Sequence, residues 1–144
     1  SKLSMVEDGV LRHWFLSTSA ARELGLETNG RGVRGGPAVS PASTNLALEP
    51  GSISRDDLIR GVGTGFYVTE LIGQGVNMVT GEYSRGASGF WIENGEILYP
   101  VSEVTIASNL KQMFMALTPA DDIDRKFGIA APTLAVEGMT IAGT

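Results

Sequence analysis

One histidine and no cysteine limit the chemistry open to this 144-residue chain. Zinc sites draw on two or more histidines, or on a histidine with thiolates or carboxylates at matched spacing. His13 stands alone in the apolar run GVLRHWFL, Gly9–Leu16, and reads as a packed or rim residue. The absence of cysteine excludes disulfides, thiolate zinc sites and a cysteine nucleophile together. Two acidic groups remain. Asp56 and Asp57 are adjacent, so they cannot share one helix face and better complement a helix N-terminus. Asp121, Asp122 and Asp124 crowd one turn but lack the spacing, glycine and distal Glu of an EF-hand. The Gly/Pro/Ser segment Glu27–Pro41, with Arg31 and Arg34, offers enough glycine for an anion-binding nest. Its spacing matches neither a P-loop nor a dinucleotide fingerprint, and it reads as a mobile surface loop.

The elements around these residues are better marked. Residues 63–103 read as β structure throughout. Phe66–Ile72 is rich in aromatic and β-branched residues, and a turn from Gly73 through Gly75 to Asn77 closes it. The apolar runs Gly89–Ile92 and Ile97–Val101 flank Asn94-Gly95, the strongest short-range signal for a hairpin with positive φ at both turn residues. Gly9–Leu16 fits a strand covered on both faces or the approach to a helix. Ser17, Thr18 and Ser19 offer caps for a short helix through Leu24, ended by Gly25. Ser54 followed by Asp57 starts another, with Leu58 and Ile59 inward and Gly61 at its close. A third is expected over about 108–117, where Leu110, Met113, Phe114 and Leu117 form a stripe suited to packing on the sheet. Thr133–Ile141 supplies one or two closing strands. No β-α-β alternation is present, so the fold class is α+β, mainly an antiparallel sheet of meander hairpins with two or three short helices.

Composition excludes whole classes of partner. The net charge of −5 and the lack of a basic patch argue against direct nucleic-acid binding. No apolar run approaches the ~18 residues of a membrane helix, and Ser1–Gly9 lacks the apolar segment of a signal peptide. A cysteine-free chain is compatible with a reducing cytoplasm.

The stretch GFYVTELIGQGVNMVTGEYSRGASGFWIENGEILYPVSEVTIASNLKQM, residues 65–113, resembles the C-terminal region of the TldD/PmbA family, described as modulators of DNA gyrase. Family members carry a YVTELLGQGVN-like strand and turn, GFWIENGEI-like hairpins and a TIAGNL-like helix start. Weaker likeness continues at Gly9–Gly25, Thr44–Gly51 and Ala131–Gly143. The resemblance implies one C-terminal domain, residues 1–144, of a protein about three times as long, with part of its strand set upstream of Ser1. It also implies a bacterial peptide-processing metallopeptidase acting as a dimer. TldD-type members carry an H-E-x-x-x-H zinc motif upstream of this region and a Cys-Gly segment near their last strands. Here Phe127–Ala131 has no cysteine, and the GFWIENGEI wording is similar to the zinc-less PmbA/TldE type. The expectation is a non-catalytic partner subunit, without a cofactor of its own, paired with a zinc-bearing TldD-type subunit. Such pairs remove a microcin leader and degrade unfolded peptides such as an antitoxin. An independent metallopeptidase with its zinc motif upstream, or a gyrase-regulating binding protein, stand as alternatives. Gln74, Asn77 and Tyr83 are the candidate peptide- or partner-facing residues, alongside a local hydrogen-bonding role. Gly73, Gly75, Asn94 and Gly95 are expected to form the turns.

Overall fold

The computed structural model describes residues 2–143 and divides them into two compact units, up to Leu46 and from Ala47 onward.

The first unit is built from small hairpins and one helix. Strands β1 (Val6–Glu7) and β2 (Val10–Leu11) pair antiparallel through Asp8 and Gly9, both at positive φ. The run Gly9–Leu16 is therefore a hairpin arm and an extended segment, not a doubly covered strand. Val10, Leu11 and Trp14 are exposed and Leu16 is buried, because two-residue strands form no sheet broad enough to cover alternate faces. Helix α1 (Thr18–Glu23) starts at Ser17, whose side chain accepts from Ala20 N at 3.2 Å, and Gly25 follows at φ 67°. The glycine-rich segment is ordered pairing instead of a free loop: β3 (Gly32–Arg34) and β4 (Val39–Pro41) form a hairpin. Asn29 ties its base, accepting from Leu16 N at 3.1 Å and donating to Trp14 O at 2.8 Å.

The second unit is organised by a four-stranded antiparallel sheet. Between the units runs β5 (Leu46–Ala47). Helix α2 (Arg55–Val62) follows, capped by Ser54, whose Oγ accepts from Asp57 N at 3.1 Å. Leu58 and Ile59 are its buried face. It closes on Gly63 at φ 71°, two residues beyond the expected Gly61. The sheet strands are β6 (Gly65–Ile72), β7 (Glu82–Glu93) and β8 (Glu96–Asn109), with β12 (Thr140–Ala142) in the spatial order β12-β8-β7-β6. Asn94 (φ 53°) and Gly95 (φ 75°) turn β7 into β8, the conformation a two-residue hairpin needs. Both strands outrun the apolar blocks seen in sequence, because Glu82–Arg85 pairs with Ile106–Asn109. Ala87, Val104 and Ile106 form the buried cluster on one face, with Phe66, Val68, Tyr83, Val101 and Met139 packed against it.

The third helix departs most from expectation. Helix α3 (Leu110–Met115) has six residues and buries none of them fully. Of the expected stripe, Leu110, Met113 and Leu117 are half-buried while Phe114 is 70% exposed, so only part of it is covered. Ser108 and Asn109 remain in β8, and Leu117 leaves for β9 (Leu117–Pro119), which pairs with β11 (Leu134–Val136). One and a half turns at the end of a sheet cannot lie across its face. The short strand β10 (Ile129–Ala130) completes the unit. Among the described residues no helix is long and apolar enough to cross a membrane.

Candidate functional site

The four-stranded sheet presents two features on which a site could be built: the outer edge of β6 and the loop that leaves it. Among the described residues β6 pairs only with β7, so one row of its backbone donors and acceptors is unused by the sheet. Phe66 and Tyr67 stand opposite Trp91 and Phe90, and Arg55 of α2 lies over the Tyr67 ring, 5.4 Å from its centroid. A register shift between Val68 and Glu70 bends the strand at Thr69, whose hydroxyl donates to Ser88 O at 3.2 Å. Bulges of this kind re-aim an edge strand and interrupt its pairing.

The loop between β6 and β7 is a built structure. Asn77 Oδ1 accepts from Val79 N at 2.9 Å and Thr80 N at 3.1 Å. Asn77 N donates to Glu82 O, and Gly81 N donates to Asn77 O, both at 2.8 Å. Ser84 N donates to Gly75 O at 2.7 Å, and a Cβ on Gly75 would lie 1.5 Å from Ser84 O. From the far end of β8, Asn109 Nδ2 donates to Thr80 O at 3.0 Å while its Oδ1 caps α3 at Lys111 N, also at 3.0 Å. Leu110 N donates to Gly81 O at 2.7 Å. The result is a rigid loop that holds Met78 and Val79 out in solvent, Val79 at 95% exposure.

The structure does not bring Gln74, Asn77 and Tyr83 together as one surface. Gln74 is exposed, Asn77 organises its own turn, and Tyr83 packs against the buried cluster. Gly73 takes φ 77° at the loop's start. Sequence reading missed Asn109, whose partner Thr80 is 29 residues away; an Asn just before an apolar helix start was the available signal.

The donor set does not fit a zinc ion. His13 is exposed and its Nδ1 donates to Ser4 O at 2.7 Å. Among the described residues no three His, Cys, Asp or Glu side chains gather at ligand distance. The aspartate turn is occupied with its own backbone and neighbours. Asp122 accepts from Thr133 Oγ1 and Thr133 N, each at 2.7 Å, and these bonds, the side-chain one first, hold its carboxyl below the ordinary value of 3.8. Asp124 pairs with Lys126 at 3.1 Å.

Comparison with known proteins gives the family. The PmbA/TldA metallopeptidase C-terminal domain matches residues 1–143. Metalloprotease PmbA of Escherichia coli O157:H7 is 44% identical over 140 residues, which is 96% of this chain and 29% of that protein. A metalloprotease TldD homolog of Buchnera aphidicola subsp. Acyrthosiphon pisum is 27% identical over 158 residues, 97% of this chain and 33% of that one. The crystal structure of a candidate DNA-gyrase modulator from Thermotoga maritima superposes with a TM-score of 0.84 at 33% identity, over 96% of this chain and 32% of its own. The chain thus spans about three-tenths of the length of these curated relatives. By the extent of that match, the chain belongs to the PmbA/TldD metallopeptidase family and carries its C-terminal domain.

Proposed function

We propose that this chain belongs to a PmbA/TldE-type subunit that contributes no zinc, pairs with a zinc-bearing TldD-type subunit, and helps present unfolded peptides to it in the cytoplasm. The observation that carries the peptide-handling part is the outer strand of the sheet, β6, whose far edge pairs with nothing among the described residues. An extended chain can add to such an edge through main-chain hydrogen bonds, with little demand on its sequence. Two further facts support the assignment of subunit type. Identity to the PmbA relative is 44% against 27% to the TldD homolog, and Phe127–Ala131 lacks the cysteine that TldD-type members carry near their last strands. Leader removal from a modified microcin precursor and degradation of an antitoxin are the substrates this reading favours.

A second reading has its own support: the Escherichia coli relative is itself named a metalloprotease, so a longer polypeptide carrying this domain would hold zinc ligands elsewhere and cleave alone. Mixing separates the two. The full-length protein, a TldD-type subunit and an unfolded peptide are combined, with and without chelator, and each subunit is also assayed singly. Cleavage that appears only in the mixture and vanishes with chelator supports the partner role; chelator-sensitive cleavage by this protein alone overturns it. A regulatory contact with gyrase, suggested by the description of the Thermotoga protein, would be a protein contact, given the net charge of −5.

A further inference from the structure

We infer that Asn94-Gly95 is a latent site of self-modification, and that helix α2 keeps it closed by occupying the Gly95 amide. An asparagine followed by glycine can lose its side-chain amide without an enzyme. Base takes the proton from the glycine N–H, the nitrogen attacks the asparagine Cγ, and the Cγ–Nδ2 bond breaks to release ammonia. One water then opens the five-membered succinimide to an aspartyl or isoaspartyl residue. Glycine favours the step because it has no Cβ to crowd the ring. The chain holds two such pairs, Asn29-Gly30 and Asn94-Gly95.

The two pairs are guarded at opposite atoms. Asn29 is held at its electrophile, with Oδ1 accepting from Leu16 N at 3.1 Å and Nδ2 donating to Trp14 O at 2.8 Å. Its Cγ cannot swing toward Gly30 N unless those bonds break. At the second pair the guard sits on the nucleophile. Asn94 is exposed, but Gly95 is buried and its N–H donates to Gly63 O at 2.9 Å. Gly63 is the residue on which α2 closes. The Gly95 backbone also packs on the last turn of α2, where an added Cβ would lie 2.6 Å from Arg60 O and 2.9 Å from Arg60 Cα. An enclosed, hydrogen-bonded N–H is out of reach of base, the same condition that slows amide exchange. Asn94, Gly95 and α2 all lie in one compact unit, so this guard needs nothing outside it.

Docking of α2 therefore sets the rate. Solvent reaches the turn through an open cleft of about 370 Å³, whose lining includes Ile59 and Arg60 of α2 and Gly95, Glu96 and Ile97 of the hairpin. When α2 lifts, Gly95 N is freed and cyclisation can begin. Its product opposes return to the original turn. The isoaspartyl form adds a backbone carbon to a two-residue hairpin loop, whose length fixes the register, and the new carboxylate falls between Glu93 and Glu96.

The test follows amide loss at both asparagines of the full-length protein by peptide mapping and mass spectrometry in mildly alkaline buffer. A synthetic peptide of residues 90–98 is the unguarded reference. Asn94 is expected to cyclise more slowly than in the peptide, by the same factor by which exchange of the Gly95 amide is slowed; this comparison needs no variant. Ile59→Val trims the buried face of α2 and should speed cyclisation at Asn94 by about threefold or more, with Gly95 exchange rising in step. Asn29 should not respond to that variant, and Asn77→Ala, in the loop between β6 and β7, should leave Asn94 unchanged. Cyclisation at Asn94 as fast as in the peptide, or unresponsive to Ile59→Val, would overturn the inference. Slowing beyond that of Gly95 exchange would place the guard in the turn's own geometry and also overturn it. Equal acceleration by Ile59→Val and Asn77→Ala would do the same, because the opening would then be global and not a lifting of α2.

Discussion

The two ends of the central sheet are held in opposite ways. At one end Asn94 and Gly95 reverse the chain by their own backbone preferences. At the other, residues 73–81 are fixed by bonds from Asn77 within the loop and from Asn109 at the end of β8. The first end turns over two residues, with one bond from Gly95 N to Gly63 O at 2.9 Å; the second depends on a residue that arrives late in the chain. A local turn tolerates change in its surroundings, whereas a clasped loop fails when any of its anchors is lost. The clasped end projects Met78, Val79, Phe114 and Met115 into solvent.

Substitutions rank the two ends. The largest loss is expected for Gly75→Val, whose Cβ would overlap the Ser84 carbonyl 1.5 Å away; about 3 kcal/mol or more of stability should disappear in a denaturant melt. At the local end, Gly95→Val forces a β-branched residue to φ 75° and brings its Cβ within 2.6 Å of Arg60 O. Its cost should be about 2 kcal/mol, and equal losses at both ends would erase the distinction drawn here.

These ends also differ in how far they could be read from sequence. Asn94-Gly95 between apolar runs, Ser17 before an alanine-rich helix and Ser54 three residues before Asp57 announce themselves, because turn and cap chemistry acts over two to four residues. The α+β class followed from those signals with the strand composition. The stripe Leu110, Met113, Phe114 and Leu117 marks a helix but not its extent. Periodicity records that residues share a face of a helix, not whether the chain stays helical long enough to bury it, and β9 draws Leu117 away into a strand pair. Asn109 reaches Thr80 only through cross-strand register, which no short window contains. Within the candidate site, the β6 strand was legible as a strand; its place at the edge of the sheet was not.

Smaller effects sharpen the comparison. Asn109→Ala removes both the bond to Thr80 O and the cap on Lys111 N, and should cost about 1–2 kcal/mol. Asn77→Ala should cost about 1 kcal/mol and loosen the loop alone, seen as faster amide exchange at Val79 and Thr80 with little change elsewhere. If Asn109→Ala leaves exchange at Thr80 and Gly81 unaltered, the loop is not clasped from β8. The smallest effect lies away from both ends. Because the folded state holds the Asp122 carboxyl below 3.8, its stabilisation is complete above that value and fades as pH falls through the lower folded value. Wild-type protein should therefore lose stability in that acidic window more steeply than Asp122→Asn, and identical pH profiles would show that the Thr133 bonds do not bias the titration.

The central claim, that this protein brings no zinc to a paired peptidase, is tested most directly by elemental analysis of the full-length protein after dialysis, alone and paired with a TldD-type subunit. The account predicts no stoichiometric zinc on the protein alone, about one zinc for each pair, carried by the partner, and no change in either value on His13→Ala. About one zinc for each chain of the unpaired protein would contradict it.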